Sequence, residues 1–495
     1  MPLRGYQPEA ISKNCHYVSF LAYFTSCNRD NYQKEIKRII KPDMEKLASI
    51  DNYNIRESTI KEPPSTIAGS LKFLGPGFIL SASIVGSGEL IATTTLGATA
   101  GYVAFWVIIV SCLAKVAVQL EFGKRTILSG ETAMQLLNKL PGPRFGKAGW
   151  TVWVVFLLIV LKCVQLGGMI GSAAIVLNML FPAVPTVPWV LIAAFSLAAL
   201  IYKGFYSVVE KASLFMTLMF TILTITAVCV LSFTPYSISG HDLIEGLKFR
   251  LPPEIVAVAI GAFGITGVAS DEIIAYNYWC LEKGYAAYTG PQKNSVEWRR
   301  RASGWIRVMY LDAVVAMIIY TLVTAAFYLL GAAILHQRGT IPQGDELIET
   351  VALIYTESLG AGIKTAYLVG AFFVLFSSLF AALAAWTRMY SNIFGQLGWI
   401  DFFNLKQRNK VIAVLAWTLP FIWASIYLFI NLPVVMILSG GIVGSIMLFI
   451  IVFAVINFRY RNFQSSSPSI VYDLALWISI VSIVGVGVYG LTSLL

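Results

Sequence analysis

The chain has 495 residues, of which 57% are hydrophobic and only 13% charged, and its mean hydropathy is +0.73. No water-soluble globular class reaches that combination, so the sequence predicts an all-α integral membrane protein with the lipid bilayer as its partner. The net charge of +10 is gathered in alternate loops between apolar runs, which speaks for membrane topology and against a nucleic-acid partner.

Residues 1–70 are polar and mixed in charge, with "KEPPST" at Lys61 to Thr66 reading as a linker. This stretch is expected to be a cytoplasmic tail ahead of a transmembrane domain over 71–495. Tyr17 to Phe24 is too short to cross a membrane and lacks the marks of a signal peptide. Apolar runs of about 20 residues, enough to cross a hydrocarbon core of roughly 30 Å, then recur near 74–100, 102–120, 150–180, 187–202, 212–233, 255–279, 305–335, 368–389, 411–430, 434–458 and 471–494. They predict about eleven transmembrane helices. An extra amphipathic helix is expected on the membrane surface around Gly344 to Glu357.

Basic residues follow the even-numbered spans: Lys124, Arg125, Lys139, Arg144 and Lys147 after the second, and Lys283, Lys293, Arg299, Arg300 and Arg301 after the sixth. The opposite loops offer little beyond Lys248, Arg250, Arg338 and Lys364. The positive-inside rule puts the N-terminus in the cytoplasm of a multi-pass protein, expected in the plasma membrane, and the C-terminus outside. Six cysteines without a CxxC pair predict neither a disulfide framework nor a zinc site. No HExxH, nucleotide loop or nucleophile triad is visible, so neither an enzyme nor a cofactor is expected.

The first span contains "IVGSGELIA" (Ile84 to Ala92) and the sixth "GVASDEIIA" (Gly267 to Ala275). Aligned on the glutamates, Val85, Ser87, Glu89, Ile91 and Ala92 recur as Val268, Ser270, Glu272, Ile274 and Ala275, 183 residues downstream. Five spans run from the first copy to the start of the second, so the two cross in opposite directions. An inverted five-plus-five repeat with discontinuous helices meeting near the bilayer midplane is the mark of secondary transporters. Repeat one is expected at about 71–235 and repeat two at about 250–458, with an added helix at about 471–494. Gly86, Gly88, Gly264 and Gly267 permit unwinding, and freed carbonyls at membrane depth are tolerated only where they line a cavity or meet a ligand. Glutamates and serines beside them make a cation the simplest guest, since a mid-membrane carboxylate costs roughly 2.5–3.5 kcal/mol and is usually functional or paired. Pairing is the rival: Lys162, in "LKCVQLGG", either sits at the site, where it opposes a divalent ion, or faces elsewhere, snorkelling or paired with Asp312. Lys115 reads as a snorkelling or structural lysine.

The stretch from Gly75 to Glu121, "GGMIGSAAIVLNMLF" at Gly167 to Phe181 and the sixth span in register resemble the NRAMP divalent-metal transporters over about Gly75 to Phe458. The resemblance implies their LeuT-like fold. Where that family carries Asp-Pro-Gly-Asn in its first span, this chain has Gly86, Ser87, Gly88 and Glu89. Where it carries Met-Pro-His-Asn in its sixth, this chain has Ala269, Ser270, Asp271 and Glu272. Gln165 and Gly168 stand where proton-path carboxylates are expected, and Gly440 where the tenth span has a polar residue. Loss of the thioether while oxygen donors remain favours harder ions, and in this respect the chain is similar to the NRAMP-related magnesium transporters. The resemblance and the residues together imply a transporter whose substrate is a divalent metal ion, a hard one such as magnesium or manganese. Glu89 and Glu272 are the expected facing ligands, Asp271 a ligand or supporting acid, Ser87 and Ser270 weaker donors, and the carbonyls of Val85, Gly86, Thr266 and Gly267 complete the shell. Two alternatives stay open: transport of a small organic, amino-acid-like solute on the same fold, and a membrane receptor that transports nothing.

Overall fold

The computed structural model describes residues 51–86, 88–202, 206–293, 295–460 and 470–494. Ser87, one of the expected donors, lies outside them. The main helices, in chain order, are α1 (Pro76–Ile84), α2 (Thr94–Ala100), α3 (Phe105–Ser129), α4 (Trp150–Leu180), α5 (Thr186–Tyr202), α6 (Tyr206–Val230), α7 (Val256–Ile265), α8 (Ser270–Lys283), α9 (Val296–Leu330), α10 (Leu347–Leu359), α11 (Lys364–Leu397), α12 (Leu405–Ile430), α13 (Pro433–Tyr460) and α14 (Ile470–Leu494); the 13-residue, amphipathic α10 is not counted as a crossing. Among the described residues nine helical segments are long and apolar enough to cross a membrane, with α7 and α8 counted as one. The broken pair α1 and α2, and α5 with 17 residues, bring the crossings to the eleven expected.

Local chemistry sets the ends of these helices. Pro76, which has no N–H, opens α1, and the N–H groups of Gly75 and Gly77 on either side donate to the two oxygens of Asp312 on α9, at 2.9 and 2.5 Å. An anion at a helix N-terminus meets both the unpaired donors and the positive end of the helix dipole. Asp312 is thus spoken for by α1, which overturns its expected pairing with Lys162. In the bundle centre α13 packs on α4 and α7 by backbone approach: a Cβ at Gly264 would lie 1.8 Å from Gly441 O, and one at Gly441 2.0 Å from Gly261 O. Small residues replace the hydrophobic drive that helices lack inside lipid.

Two expectations on the periphery change. Helix α10 does not merely lie on a membrane surface: Leu347, Ile348, Val351, Ile354 and Tyr355 are buried, with Tyr355 accepting or donating a 2.8 Å hydrogen bond with Thr224 of α6. The Lys61 to Thr66 stretch is no loose linker. Lys61 N–H donates to Tyr288 O, its carbonyl receives Trp305 Nε1, and Glu62 pairs with Arg300 at 3.0 Å. With Glu57 against Lys293 and the Tyr53 hydroxyl donating to Glu282 of α8, this strap is held by the end of α8, the loop after it and the start of α9.

Candidate metal centre

At the second break α7 stops at Ile265, and the chain turns through Thr266 (ψ 149°) and Gly267 (φ +64°) before α8 begins at Ser270. A left-handed φ is costly for any residue with a Cβ, and here a Cβ would also sit 2.9 Å from Cys112 Cα, so only glycine fits. The carbonyls freed at the end of α7 are met by α3. Lys115 Nζ donates to Phe263 O in a short contact and to Thr266 O at 2.7 Å. Ser111 Oγ, one turn away, lies 3.0 and 2.9 Å from the same two oxygens. Lys115 is fully buried, so it is structural and does not snorkel. The Thr266 carbonyl, expected to face an ion, is already engaged by this lysine.

On the far side of the break, α8 opens with Asp271 and Glu272, where the positive end of the helix favours carboxylates. Glu272 Oε2 accepts the Ala269 N–H at 2.9 Å. Ala269 has no side-chain oxygen to return the bond, so this is half of a capping box. Asp271 is bound twice: Lys162 of α4 donates to Oδ1 in a close ion pair, and Trp386 Nε1 of α11 donates to Oδ2 at 3.0 Å. Lys162 therefore sits at the site, through Asp271 rather than Asp312. Ser270 Oγ is buried without a hydrogen-bond partner.

Helix α1 ends at Ile84, Val85 N–H still reaches Ser81 O, and after Gly86 the chain continues as a π-helical turn over Gly88–Thr93. The wider turn shows in the bonds from Thr93 Oγ1 to Gly88 O and Thr94 Oγ1 to Glu89 O, five residues back. Gly86 is required by contact, because a Cβ there would lie 1.9 Å from Ser378 Oγ, which itself donates to Ser83 O at 2.8 Å. Glu89 is fully buried and bridges to other elements. Its Oε1 receives Thr324 Oγ1 of α9 at 2.9 Å and the Gly267 N–H at 3.4 Å, while Oε2 has no partner.

Between α1, α4, α8 and α11 lies a cavity of about 50 Å³, whose polar lining includes Ser83, Gln165, Asp271, Glu272 and Ser378. A water needs roughly 10–15 Å³ of such space, so the room suits a small, partly hydrated guest. Gln165 Oε1 lacks a partner, and its Cβ would stand 2.3 Å from a Cβ at Gly440. Of the residues expected to hold the metal, Asp271 and Glu272 line the cavity and Glu89 does not. Among the described residues no three acidic, histidine or cysteine side chains converge on one metal position, so hydroxyls, the amide and water would have to complete a shell. Sequence reasoning missed Ser83, Ser378, Trp386 and Met169 on the cavity wall. The paired Ser377 and Ser378 in an apolar span were a usable signal; Trp386 and Met169 carried none.

The chain is similar to known proteins in sequence and fold. Residues 77–493 match the family model described as natural resistance-associated macrophage protein-like. The chain is 24% identical to the Pasteurella multocida protein PM0681 over 356 residues, 68% of this chain and 73% of that one. It is 26% identical to the divalent metal cation transporter MntH of Mycobacterium leprae over 310 residues, 62% and 67% of the two chains. A solved structure of a substituted Eremococcus coleocola manganese transporter superposes with TM-score 0.53 at 14% identity, covering 89% of this chain and 99% of that chain. Solved transporters outside the family align at TM-score 0.51, and together these likenesses establish the LeuT-like fold. The chain is a multi-pass integral membrane protein and belongs to the Nramp family.

Proposed function

We propose that this Nramp-family transporter carries its divalent metal ion through the cavity at the second break, with Glu272 as principal ligand. The observation that supports this most is the unequal state of the carboxylates. Glu89 is enclosed and Asp271 is neutralised by Lys162, whereas Glu272 lines the cavity with the Ala269 N–H on one of its oxygens. Hydroxyls of Ser83 and Ser378, the free oxygen of Gln165 and several waters then surround the ion. Magnesium keeps most of its water and takes one or two carboxylates, and manganese suits the same oxygen donors. Met169 is the single soft donor on the wall and biases the site toward manganese. The organic-solute reading loses ground because about 50 Å³ leaves little room beyond a few waters.

Flux into proteoliposomes, screened over magnesium, manganese, calcium and iron with a set of amino acids alongside, tests this reading. Uptake of manganese or magnesium that fails in Glu272→Gln is expected; amino-acid uptake without metal uptake overturns it. Ala269→Met is expected to shift preference toward manganese, iron or cadmium and Met169→Leu to shift it back toward magnesium. The basic loops place the N-terminus in the cytoplasm under this reading, so a cysteine at Lys293 is labelled only from inside.

A further inference from the structure

The end of α7 presents an oxygen cradle built from the carbonyls of Phe263 and Thr266 and the hydroxyl of Ser111. Unwound carbonyls and half-helix C-termini are where transporters of this architecture hold small monovalent cations, because the negative end of the helix dipole and the unpaired oxygens meet there. Here the place is filled from within the chain. Lys115 brings an ammonium, which has donors and no acceptor, onto both carbonyls. Its Nζ also lies 4.8 Å from the centre of the Phe263 ring, a cation–π distance. The side chain is wholly buried, and no carboxylate forms an ion pair with it among the described residues. The carbonyl cradle and the helix dipole are therefore its counter-charge. Ser111 and Lys115 stand four residues apart on α3 and so share one face of that helix, which fixes hydroxyl and ammonium over the same break.

We propose that Lys115 is a tethered monovalent cation: it occupies the cradle at the end of α7 permanently, holds the second break in its unwound form and removes any need for an exchangeable cation at that position. It acts as a positioning residue for the α7–α8 break, and the inference holds whichever solute the cavity takes. A corollary is that emptying the cradle converts it into a site for a small free cation. Lys115→Ala leaves the three oxygens and space for sodium, potassium or ammonium, while N-methyl-D-glucamine is too large to enter.

The test needs no divalent metal, so its failure is separable from failure of the transport reading. Thermal unfolding of the purified full chain is followed at fixed ionic strength in N-methyl-D-glucamine, sodium, potassium and ammonium chloride. The wild type is expected to give one midpoint in all four. Lys115→Ala is expected to lose about 5 °C or more in N-methyl-D-glucamine, as for an uncompensated buried polar cluster, and to regain at least half of that loss in one small cation. Lys115→Ala that is equally impaired in every salt overturns the proposal, as does Lys115→Met with wild-type stability. If Lys115→Ala cannot be purified, the wild type decides: a midpoint that rises specifically with sodium or potassium shows an exchangeable site and sinks the tethered-cation account, while an indifferent midpoint alongside loss of folding in Lys115→Ala and its return in an ammonium-supplemented preparation supports it.

Discussion

At the first break a π-helical turn starts at Gly88, and its glutamate is enclosed by the protein, bonded to Thr324 and to the backbone of the other break. At the second the helix stops, a lysine and a serine take up its loose carbonyls, and its glutamate is left on a cavity wall. The repeated sequence thus has two settings: Glu89 ties the two breaks together and Glu272 lines the cavity. The difference follows from the neighbours. The α3 face over α7 supplies Ser111 and Lys115, whereas over α1 the α11 face supplies the Ser378 hydroxyl, which fills the space at Gly86.

The largest effect that separates the two breaks is expected at the Lys162–Asp271 pair, which the first break lacks. Removing one partner of a buried ion pair strands the other charge and costs about 3–5 kcal/mol. Lys162→Met and Asp271→Asn are each expected to lose that order of stability in denaturant or thermal unfolding, and the double variant to lose clearly less than the sum. Additive losses would mean that the two charges do not rely on each other.

Next comes the glycine of each break. Gly267→Ala forces a Cβ into a left-handed conformation, about 1–2 kcal/mol, and against Cys112, so no change on a neighbouring side chain relieves it. Gly86→Ala meets the Ser378 side chain instead, at 1.9 Å from Oγ and 2.4 Å from Cβ. Overpacking of this kind costs about 1–3 kcal/mol, and Ser378→Gly is expected to restore most of it. Failure of that rescue in a thermal-shift comparison would show that Gly86 is required for its backbone freedom, as at Gly267.

A smaller effect is expected at Thr324, which touches only the first copy. Thr324→Val removes one hydrogen bond to a buried carboxyl group, worth about 0.5–1.5 kcal/mol. It is expected to lower stability while leaving metal affinity within about threefold, a difference under 1 kcal/mol. A larger loss of affinity would place Glu89 in the metal shell.

Much of this was legible in the sequence. Hydropathy and the alternating basic loops gave eleven crossings, because long apolar runs have few other uses. The matched glutamates located both breaks, because an intramembrane carboxylate is rarely idle. The roles were less legible. Nothing in one dimension told Glu89 from Glu272, since enclosure of the first depends on Thr324, more than two hundred residues away. Lys162 was read either at the site or facing elsewhere, snorkelling or paired with Asp312; it sits at the site on Asp271, and Asp312 goes to the N–H groups flanking Pro76, a partner that a search for opposite charges overlooks. Lys115 could be read as snorkelling because hydropathy counts its charge and cannot see the carbonyls of another helix. The acidic strap of Glu57 and Glu62 looked like a linker for want of its basic partners, which follow more than two hundred residues later.

The division of labour between the two glutamates is tested most directly by calorimetric titration of manganese and magnesium into the purified wild type, Glu272→Gln and Glu89→Gln. The structure predicts that Glu272→Gln weakens binding by about 100-fold or more, roughly 2.7 kcal/mol, with a folded protein, whereas Glu89→Gln retains binding within about tenfold and loses chiefly stability. Metal binding that survives Glu272→Gln and disappears in Glu89→Gln would contradict the account, because it would move the ion from the cavity at the second break to the enclosed carboxylate at the first.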